Sequence, residues 1–372
     1  MSVIINGTDG VQFNDSSLQG AAASPYVLKN RIINGDMKID QRNAGASVSV
    51  SNGTVTFITD RWNVYEDTSG SMTSQQSTTA PTGFNNSLLL TVTSAGTATA
   101  SQITRIQQRI EGNNIADLAW GSAAAQTITI SFWVRSSLTG TYCVNIRNSA
   151  VDRSYVATYT ISSANTWEQK SVTITGDTSG TWLTTNGVGM YVSWDLGSGS
   201  NANTTAGSWV ASDKQNTSTQ ANWIGTSSAT FYITGVQLEI GSTATPFERR
   251  MYGQELILCQ RYYEKSYNIN SAPATAQNEG QRVSAGNTGT TTTGEITVSC
   301  EFNTRKRTAP TMVMYDAVGN SGKCTRTNIG VANYDNSAID VVLISETNAY
   351  VYSNTGSAAC FIRYHFTANA EL

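Results

Sequence analysis

The chain is a succession of short runs in which apolar and polar residues alternate, separated by clusters of Gly, Ser, Asn and Thr. Side chains alternate between the two faces of a strand, so each run places apolar residues on one face and Thr or Ser on the other. Many short strands with turn signals between them favour a β-sandwich. In the first two thirds of the chain the pattern predicts strands at residues 54–57, 87–92, 126–134, 142–146, 170–175, 188–192 and 230–233.

The number of these strands, and the lack of a Cys, Trp, Cys spacing, favour a jelly roll over an immunoglobulin-like sandwich. One segment departs from the strand pattern. Residues 103–118 place Ile106, Ile110 and Leu118 at spacings closer to those of a helix, which predicts a strand that turns into a short helix.

The pattern changes after Met251. Leu256, Cys259 and Tyr263 have helical spacing, with Glu255 near the start of the segment, as the helix dipole prefers. Beyond it, strand patterns return at residues 296–302, 311–315, 339–344 and 359–368. The predicted fold is therefore all-β: a jelly-roll domain at 30–250, a short linking helix at 251–266, and a smaller C-terminal β-sandwich at 267–372.

Residues 1–29 contain two strand-like runs and a linker pattern at 21–25, which is too little apolar material for a core of their own. Two interpretations stay open. The segment is a frayed tail, or it docks to a partner and threads a trimer, in which three chains bury what one cannot.

Composition narrows the class of protein. Of the 372 residues, 13% are charged and 9% are aromatic, which is typical of a folded protein and not of a disordered one. The formal net charge is -3 and the pI is near 5.3, which argues against nucleic acid as a partner.

The five cysteines are far apart and form no C-x-x-C pair, which indicates free, mostly buried thiols in a protein folded in a reducing cytosol. One disulfide within the last hundred residues stays open as an alternative.

The first residues lack the basic and apolar regions of a signal peptide, and no apolar run approaches the length of a membrane span. The sequence thus predicts neither secretion by that route nor membrane insertion.

Catalytic chemistry has little support in the sequence. The single histidine, His365, lies within a strand pattern between Tyr364 and Phe366, and no motif of a serine hydrolase, a zinc protease or a phosphate-binding loop occurs. We therefore predict no catalytic residues. A glycan hydrolase that uses a carboxylate pair is the remaining enzymatic alternative, with the candidates Asp60, Glu66, Asp67, Asp152, Asp177, Asp195 and Asp213.

Sugar binding without cleavage fits the residues better. A carbohydrate site needs flat aromatic faces for stacking, and amides and carboxylates to hold hydroxyl groups. Trp194 and Asp195 precede a loop rich in Gly, Ser and Asn, and Trp209 and Trp223 follow it. We predict these four as ligand-binding residues, and assign Trp62, Trp133 and Trp167 to packing.

Two segments bracket the predicted jelly roll. Residues 30–42 (NRIINGDMKIDQR) resemble the opening strand, and residues 235–250, which begin GVQLEIG, resemble the closing strand, of jelly-roll domains in bacteriophage tail fibres. The run ELILCQRYY at 255–263 and the final residues also look like phage tail-protein endings.

This resemblance implies a homotrimeric fibre on a virion tail, made in the host cytoplasm. Its N-terminal segment would be fixed to other tail proteins, and a distal domain would attach to a host surface glycan or receptor. A structural virion component, such as a capsid fibre, a decoration protein or a baseplate protein, is the alternative with the same folds.

The opening segment also resembles that of carbohydrate-binding modules that hold a structural calcium. In those modules a carboxylate of the opening strand meets one of the closing strand, because calcium prefers several oxygen ligands. Asp36 would supply the first, but residues 234–236 (TGV) lack the second. We therefore predict no metal site and no cofactor.

Overall fold

The computed structural model describes residues 28–284, 295–328, 332–354 and 360–372, and the backbone of three short strands nearer the start. These strands, β1 (Ile4–Asn6), β2 (Gly10–Gln12) and β3 (Leu18–Gln19), form one antiparallel sheet. The linker predicted at residues 21–25 lies outside the described residues. Docking or trimer threading by the first 29 residues stays a prediction.

Thirteen strands follow between residues 48 and 240. They are β4 (Val48–Ser49), β5 (Thr56–Phe57), β6 (Trp62–Glu66), β7 (Ser71–Ser77), β8 (Ser87–Ser94), β9 (Thr104–Glu111), β10 (Ile128–Ser136), β11 (Gly140–Arg147), β12 (Ser154–Ile161), β13 (Glu168–Ile174), β14 (Val188–Asp195), β15 (Trp209–Val210) and β16 (Thr230–Ile240). All seven strand patterns predicted in this region coincide with observed strands.

The thirteen strands form two antiparallel sheets. The six-stranded sheet has the order β13-β10-β16-β8-β7-β4, and the seven-stranded sheet has the order β15-β12-β11-β14-β9-β6-β5. The many crossovers between neighbouring strands are those of a jelly-roll sandwich, which confirms the predicted fold class. Strand β9 ends at Glu111 and is followed by two short 3-10 turns, Gly112–Asn114 and Ala116–Leu118, as the mixed pattern at 103–118 predicted.

The core lies between the two sheets. Val64, Ile106, Trp194 and Val144 face each other across four neighbouring strands of the seven-stranded sheet and are fully buried. The ring of Phe132, from the other sheet, lies 5.4 Å from that of Trp194. Burying one such large side chain contributes roughly 1.5–3 kcal/mol relative to leaving it exposed.

The opening and closing motifs meet in space, although the opening one forms no strand. Asn34 and Met37 have φ values of 57° each, which turn the chain out of an extended conformation. The segment nevertheless hydrogen-bonds along β16, because Arg31 N donates to Leu238 O at 2.9 Å and Val236 N donates to the carbonyl of Gly35 at 2.9 Å. The expectation of an opening strand is wrong, and the pairing of the two segments is observed.

The linking helix α1 (Tyr252–Gln260) is shorter than the predicted 251–266. It ends because the next residues leave the helix and form strand β17 (Tyr263–Lys265), in which Tyr263 pairs with Asn369. The helix packs its Cys259 against Ile33 and Ile39 of the opening segment. The motif at 255–263 therefore joins the two sandwiches through both a helix and a strand.

The C-terminal region is a smaller sandwich with its own core, as predicted. The strands are β18 (Arg282–Val283), β19 (Glu295–Glu301), β20 (Thr311–Tyr315), β21 (Lys323–Asn328), β22 (Ala332–Ala338), β23 (Asp340–Val342), β24 (Asn348–Asn354) and β25 (Cys360–Asn369). Strand β25 is central, since it pairs with four others, and a separate three-stranded sheet has the order β19-β24-β23.

All five cysteines are free and buried, in agreement with the sequence.

His365 is also fully buried. Its ring stacks on Tyr267 at 3.8 Å, and its Nδ1 contacts Ser266 Oγ at 3.1 Å. Burial lowers the pKa of His365. It therefore has a packing role. No helix in the part of the chain that the structure describes has the length and apolar character needed to cross a membrane.

Candidate functional site

A row of polar side chains crosses four strands on the outer face of the seven-stranded sheet. The register places Gln107 of β9 between Asn63 of β6 and Ser193 of β14, and Ser193 opposite Asn145 of β11. Side chains alternate along a strand, so the residues between these face the core instead. All four polar side chains are nevertheless buried, which means that larger neighbours cover them.

Those neighbours are arginines and tyrosines in the two flanking rows. The guanidinium carbon of Arg105 lies 5.1 Å from the ring centroid of Tyr65. The guanidinium carbons of Arg109 and Arg147 lie 5.7 Å and 5.1 Å from the ring of Tyr191, within the range of cation–π attraction. We call the whole surface the polar face; it comprises Asn63, Tyr65, Arg105, Gln107, Arg109, Asn145, Arg147, Tyr191 and Ser193.

The polar face keeps unused hydrogen-bonding capacity. Gln107 Nε2 donates to Ser193 Oγ at 2.9 Å, and Asn145 Nδ2 donates to the carbonyl of Gln215 at 3.0 Å. Both amide atoms of Asn63, Oδ1 of Asn145 and Nε of Arg105 have no partner among the residues that the structure describes. A buried polar group without a partner costs roughly 1–3 kcal/mol, so a hydroxyl-bearing ligand that displaces the covering side chains would regain this free energy by satisfying such groups.

The arginines of the polar face also raise its positive potential. Burial and the neighbouring Arg147 together lower the pKa of Arg105 to about 9, while Asp213 and Asp195 oppose the shift. Burial and Arg147 likewise lower the pKa of Arg109. Arg105 stays charged at neutral pH, because a pKa of about 9 lies well above 7.

The loop between β14 and β16 lies against one end of this face. Arg105 Nη1 donates to Gln215 Oε1 at 2.9 Å, and Arg147 Nη1 pairs with Asp213 Oδ1 at 3.1 Å. Next to these residues the loop forms a polar cleft of about 240 Å³. The cleft is lined by Thr97, Ala98, Gly197, Ser198, Gly199, Ser200, Asn203, Asn216, Thr217, Ser218, Gln220 and Asn222.

The structure corrects two of the four predicted ligand-binding residues. Trp194 and Trp223 were expected to offer their rings on exposed loops, but both are fully buried. Trp194 lies in β14, 5.7 Å from the ring of Trp62, and Trp223 packs 6.4 Å from Phe231. Strand alternation is the reason for Trp194, since it shares the inward phase of β14, and a core side chain cannot stack on a sugar.

Asp195 faces outward but is fully buried beneath the loop. Its Oδ1 accepts hydrogen bonds from the backbone N–H groups of Gly197 and Ser198 at 3.0 Å and from Gln220. Burial raises its pKa, and these hydrogen bonds oppose the rise. The carboxylate therefore organises the wall of the cleft, and its contact with a ligand stays a prediction.

Trp209 is half-buried at the edge of the sheet, in β15. Its ring lies 5.3 Å from Trp120 and 5.5 Å from Trp182, and its Nε1 donates to the carbonyl of Thr175 at 2.8 Å. The structure therefore places Trp209 in an aromatic cluster away from the polar cleft. Ligand binding by Trp209 stays a prediction.

The residues of the polar face were missed from the sequence, although one signal was present. Strand β9 places Arg105, Gln107 and Arg109 on one face, and Ile106, Gln108 and Ile110 on the other. Long side chains with several hydrogen-bond donors on one face are expensive to order. Their concentration on one strand is therefore the sequence signal that makes this face a candidate site.

The carboxylates named for a hydrolase have structural partners instead. Asp60 accepts from Gln41 N at 2.9 Å, Glu66 accepts from Thr68 N at 2.6 Å, and Asp177 pairs with Arg153 at 2.6 Å. Among the described residues, no group of three or more His, Cys, Asp or Glu side chains is placed to hold a metal ion.

No family model matches the chain, and no curated protein matches it either. Among solved structures, it is similar to the enzymatically active domain of tailspike protein 4 of bacteriophage CBA120, with 14% identity, a TM-score of 0.30, and coverage of 60% of this chain and 22% of that chain.

The chain is also similar to two carbohydrate-binding modules of Clostridium thermocellum. One is a family 11 module in complex with a β-1,3-1,4-mixed-linked tetrasaccharide, with 10% identity, a TM-score of 0.28, and coverage of 54% of this chain and 98% of that one. The other is the C-terminal family 22 module of a xylanase, with 14% identity, a TM-score of 0.28, and coverage of 57% and 98%. At these TM-scores the likenesses carry no argument about this chain, so the architecture rests on its own strand pairing.

Proposed function

We propose that the protein binds a glycan through the polar face, without cleaving it. The observation that carries this is the set of half-buried side chains Tyr65, Tyr191, Arg105 and Arg109 on the outer face of the seven-stranded sheet, which lie together above a buried row of amides. Amides and guanidinium groups hold hydroxyls, and tyrosine rings offer flat faces for sugar stacking.

The carboxylates support binding without cleavage. Glycosidases need two carboxyl groups roughly 5–10 Å apart on either side of the scissile bond. Three aspartates lie beside the polar face. Asp195 is fully buried and hydrogen-bonded by the loop, Asp213 is paired with Arg147, and Asp67 accepts hydrogen bonds from the hydroxyl of Tyr65 and from the backbone N–H of Ile103. Each carboxylate therefore already has a structural partner.

We further infer that this binding serves a phage virion as a tail fibre protein that attaches to the host surface. The phage-like motifs at 30–42 and 235–250, and their order along the chain, support this assignment. The protein would be a homotrimer in the virion tail, joined to other tail proteins through residues 1–29. The last two points rest on the resemblance and on the small amount of apolar material in that segment.

The test of glycan attachment is the binding of labelled full-length protein to candidate host cells, with and without removal of surface polysaccharide. We expect saturable binding that is lost on removal, and a loss of roughly tenfold or more in affinity in Tyr65→Ala and Tyr191→Ala, since truncating an aromatic anchor of a binding surface costs about 1–2 kcal/mol or more.

Tyr232→Ala is the matched control. Tyr232 lies in the six-stranded sheet and has its own arginine partner, Arg135, 5.0 Å from its ring. The Tyr232→Ala variant should bind host cells with the affinity of the unmodified protein. Equal losses in all three variants, or none, would exclude the polar face as the site. Incorporation into particles with no affinity for host cells would instead favour a structural virion component.

Trimer formation is tested separately by light scattering of the full-length protein at micromolar concentration. We expect the mass of three chains. A monomer would contradict the trimer and leave glycan binding standing.

A further inference from the structure

The arginines of this protein differ in how their charge is compensated. Two buried arginines outside the polar face have carboxylate partners that are themselves buried: Arg61 pairs with Glu371, and Arg250 pairs with Glu255 at 3.3 Å, with every side chain in these pairs at most 5% exposed. A buried charge is tolerated when an opposite charge compensates for its lost hydration. These pairs have the expected arrangement.

The arginines of the polar face are arranged differently. Arg105 makes no ion pair with a carboxylate among the residues that the structure describes; its Nη1 binds the neutral amide of Gln215, and its Nε has no partner. Arg147 is 3% exposed, and its one carboxylate partner, Asp213, is 43% exposed. An exposed partner is easily replaced, because water and salt screen its attraction.

The charges on this surface are also crowded together. Tyr191 pairs in register with Arg109 on one side and with Arg147 on the other, so two guanidinium groups share one ring. The like charge of Arg147 lowers the pKa of both Arg105 and Arg109. Arg109 has a backbone acceptor, the oxygen of Leu372. Asp195 and Asp213 act on Arg105 through space, but Arg105 makes no ion pair with either, and the one partner of Arg147 is exposed. Arg105 and Arg147 are therefore the two guanidinium groups of this face that are available to a ligand carboxylate.

We propose that the glycan bound by the polar face is acidic, and that Arg105 and Arg147 hold its carboxylate groups. This inference rests on the proposed glycan binding. The planar guanidinium group matches a carboxylate with two parallel hydrogen bonds, which gives both strength and orientation. Tyr65 and Tyr191, on either side, would stack on the sugar rings that bear those carboxylates.

Nucleic acid is the other polyanion that arginines bind, and the rest of the molecule disfavours it. The whole chain has a net charge of -3, so the positive charge is local and offers no extended footprint for a phosphate backbone. The polar face contains three arginines, which match the spaced charges of a polysaccharide with an acidic unit in each repeat better than a continuous phosphate backbone.

The test measures binding of the full-length protein to a panel of uronate-containing and sialate-containing bacterial polysaccharides, each beside its carboxyl-reduced form. We expect a carboxylated member to bind, and its reduced form to bind roughly tenfold or more weakly. Arg105→Gln and Arg147→Gln should weaken binding to the carboxylated form by a similar factor and weaken binding to the reduced form much less, because the reduced form loses only hydroxyl contacts with these side chains.

Two further variants sharpen the test. Asp213→Asn removes the carboxylate that competes for Arg147, so it should tighten binding to the acidic glycan roughly two- to fivefold; a merely structural role for this pair would not produce a gain. Arg135→Gln is the control. Arg135 lies on the outer face of the six-stranded sheet and contacts Tyr232 in the same arginine–tyrosine geometry, so its loss should leave the affinity for the acidic glycan unchanged.

Equal affinity for carboxylated and reduced forms, lost in Tyr191→Ala, would overturn the acidic ligand and leave the proposed function standing. If the protein binds neither any polysaccharide of the panel nor host cells, both the acidic ligand and the proposed glycan binding are overturned. Tighter binding to a single-stranded oligonucleotide than to any glycan would also overturn the inference.

Discussion

Arg61 forms an ion pair with Glu371 across 310 residues of sequence, and its guanidinium carbon lies 3.5 Å from the ring centroid of Tyr262. The carboxylate of Glu371 also accepts a hydrogen bond from Arg42 at 3.1 Å. Nearby, Glu111 of β9 binds Arg261 at 2.7 Å and the hydroxyl of Tyr262 at 2.7 Å. A network of buried ion pairs thus joins the large sandwich to the C-terminal one.

Glu371→Gln should destabilise the protein. Arg61 is 2% exposed, and removing its partner leaves an uncompensated buried charge, which costs about 3 kcal/mol. The measurement is urea unfolding followed by tryptophan fluorescence. Glu346→Gln is the control, since Glu346 pairs with the 71% exposed Arg305 and its loss should cost less than about 1 kcal/mol. Equal shifts in the two variants would contradict the importance of the buried pair.

The stability of the protein should depend on pH through Asp60. Burial raises the pKa of Asp60 from 3.8 to about 6, although Arg42 and the hydrogen bonds from Gln41 oppose the rise. Between pH 3.8 and about pH 6, Asp60 is protonated in the folded protein but ionised in the unfolded chain. The free energy of unfolding therefore falls as the pH rises through this range.

Asp60→Asn removes this dependence. The difference in the free energy of unfolding, wild type minus variant, should fall by about 2 kcal/mol between pH 4 and pH 7. Urea titrations at four pH values in this range measure it. A constant difference would show that Asp60 keeps its ordinary pKa in the folded protein.

Trp194→Ala should cost far more stability than Trp209→Ala. Trp194 is fully buried between the sheets, and removal of such a side chain costs roughly 3–5 kcal/mol. Trp209 is half-buried at an edge strand, where neighbouring groups and water can fill the gap. Thermal unfolding followed by circular dichroism compares them. Similar melting temperatures for both variants would contradict the core position of Trp194.

Gly35→Ala should separate the opening segment from the closing strand. A Cβ at Gly35 would lie 2.2 Å from the carbonyl oxygen of Val236, closer than any contact allows. We expect a loss of about 2 kcal/mol or more. Gly253→Ala is the control: nothing lies within 4 Å of its Cβ position and it is in α1, so it should stabilise the protein by up to about 1 kcal/mol. Equal effects of both changes would argue against the close contact.

Local pattern was sufficient for most strands, and insufficient where packing decides. The β-branched runs in β8, β10 and β16 were predicted because their alternation is visible in the residues themselves. Strand β7 (SMTSQQS) was not, since it has one large apolar residue and is extended because it pairs with β8 along its whole length. Its structure comes from its neighbour, and the neighbour is defined only by the fold.

The sequence by itself determined the all-β class, the two sandwiches, the strand-to-turn change after β9, and the burial of the cysteines, because each depends on alternation or composition within a short segment. Only the tertiary structure decided which face of each strand is covered. It turned Trp194 inward, folded Asp195 beneath a loop, and aligned Gln107 with Ser193 and Asn145 across strands far apart in sequence. A binding face is a property of strand register, and register is set by pairing between segments that no local pattern relates.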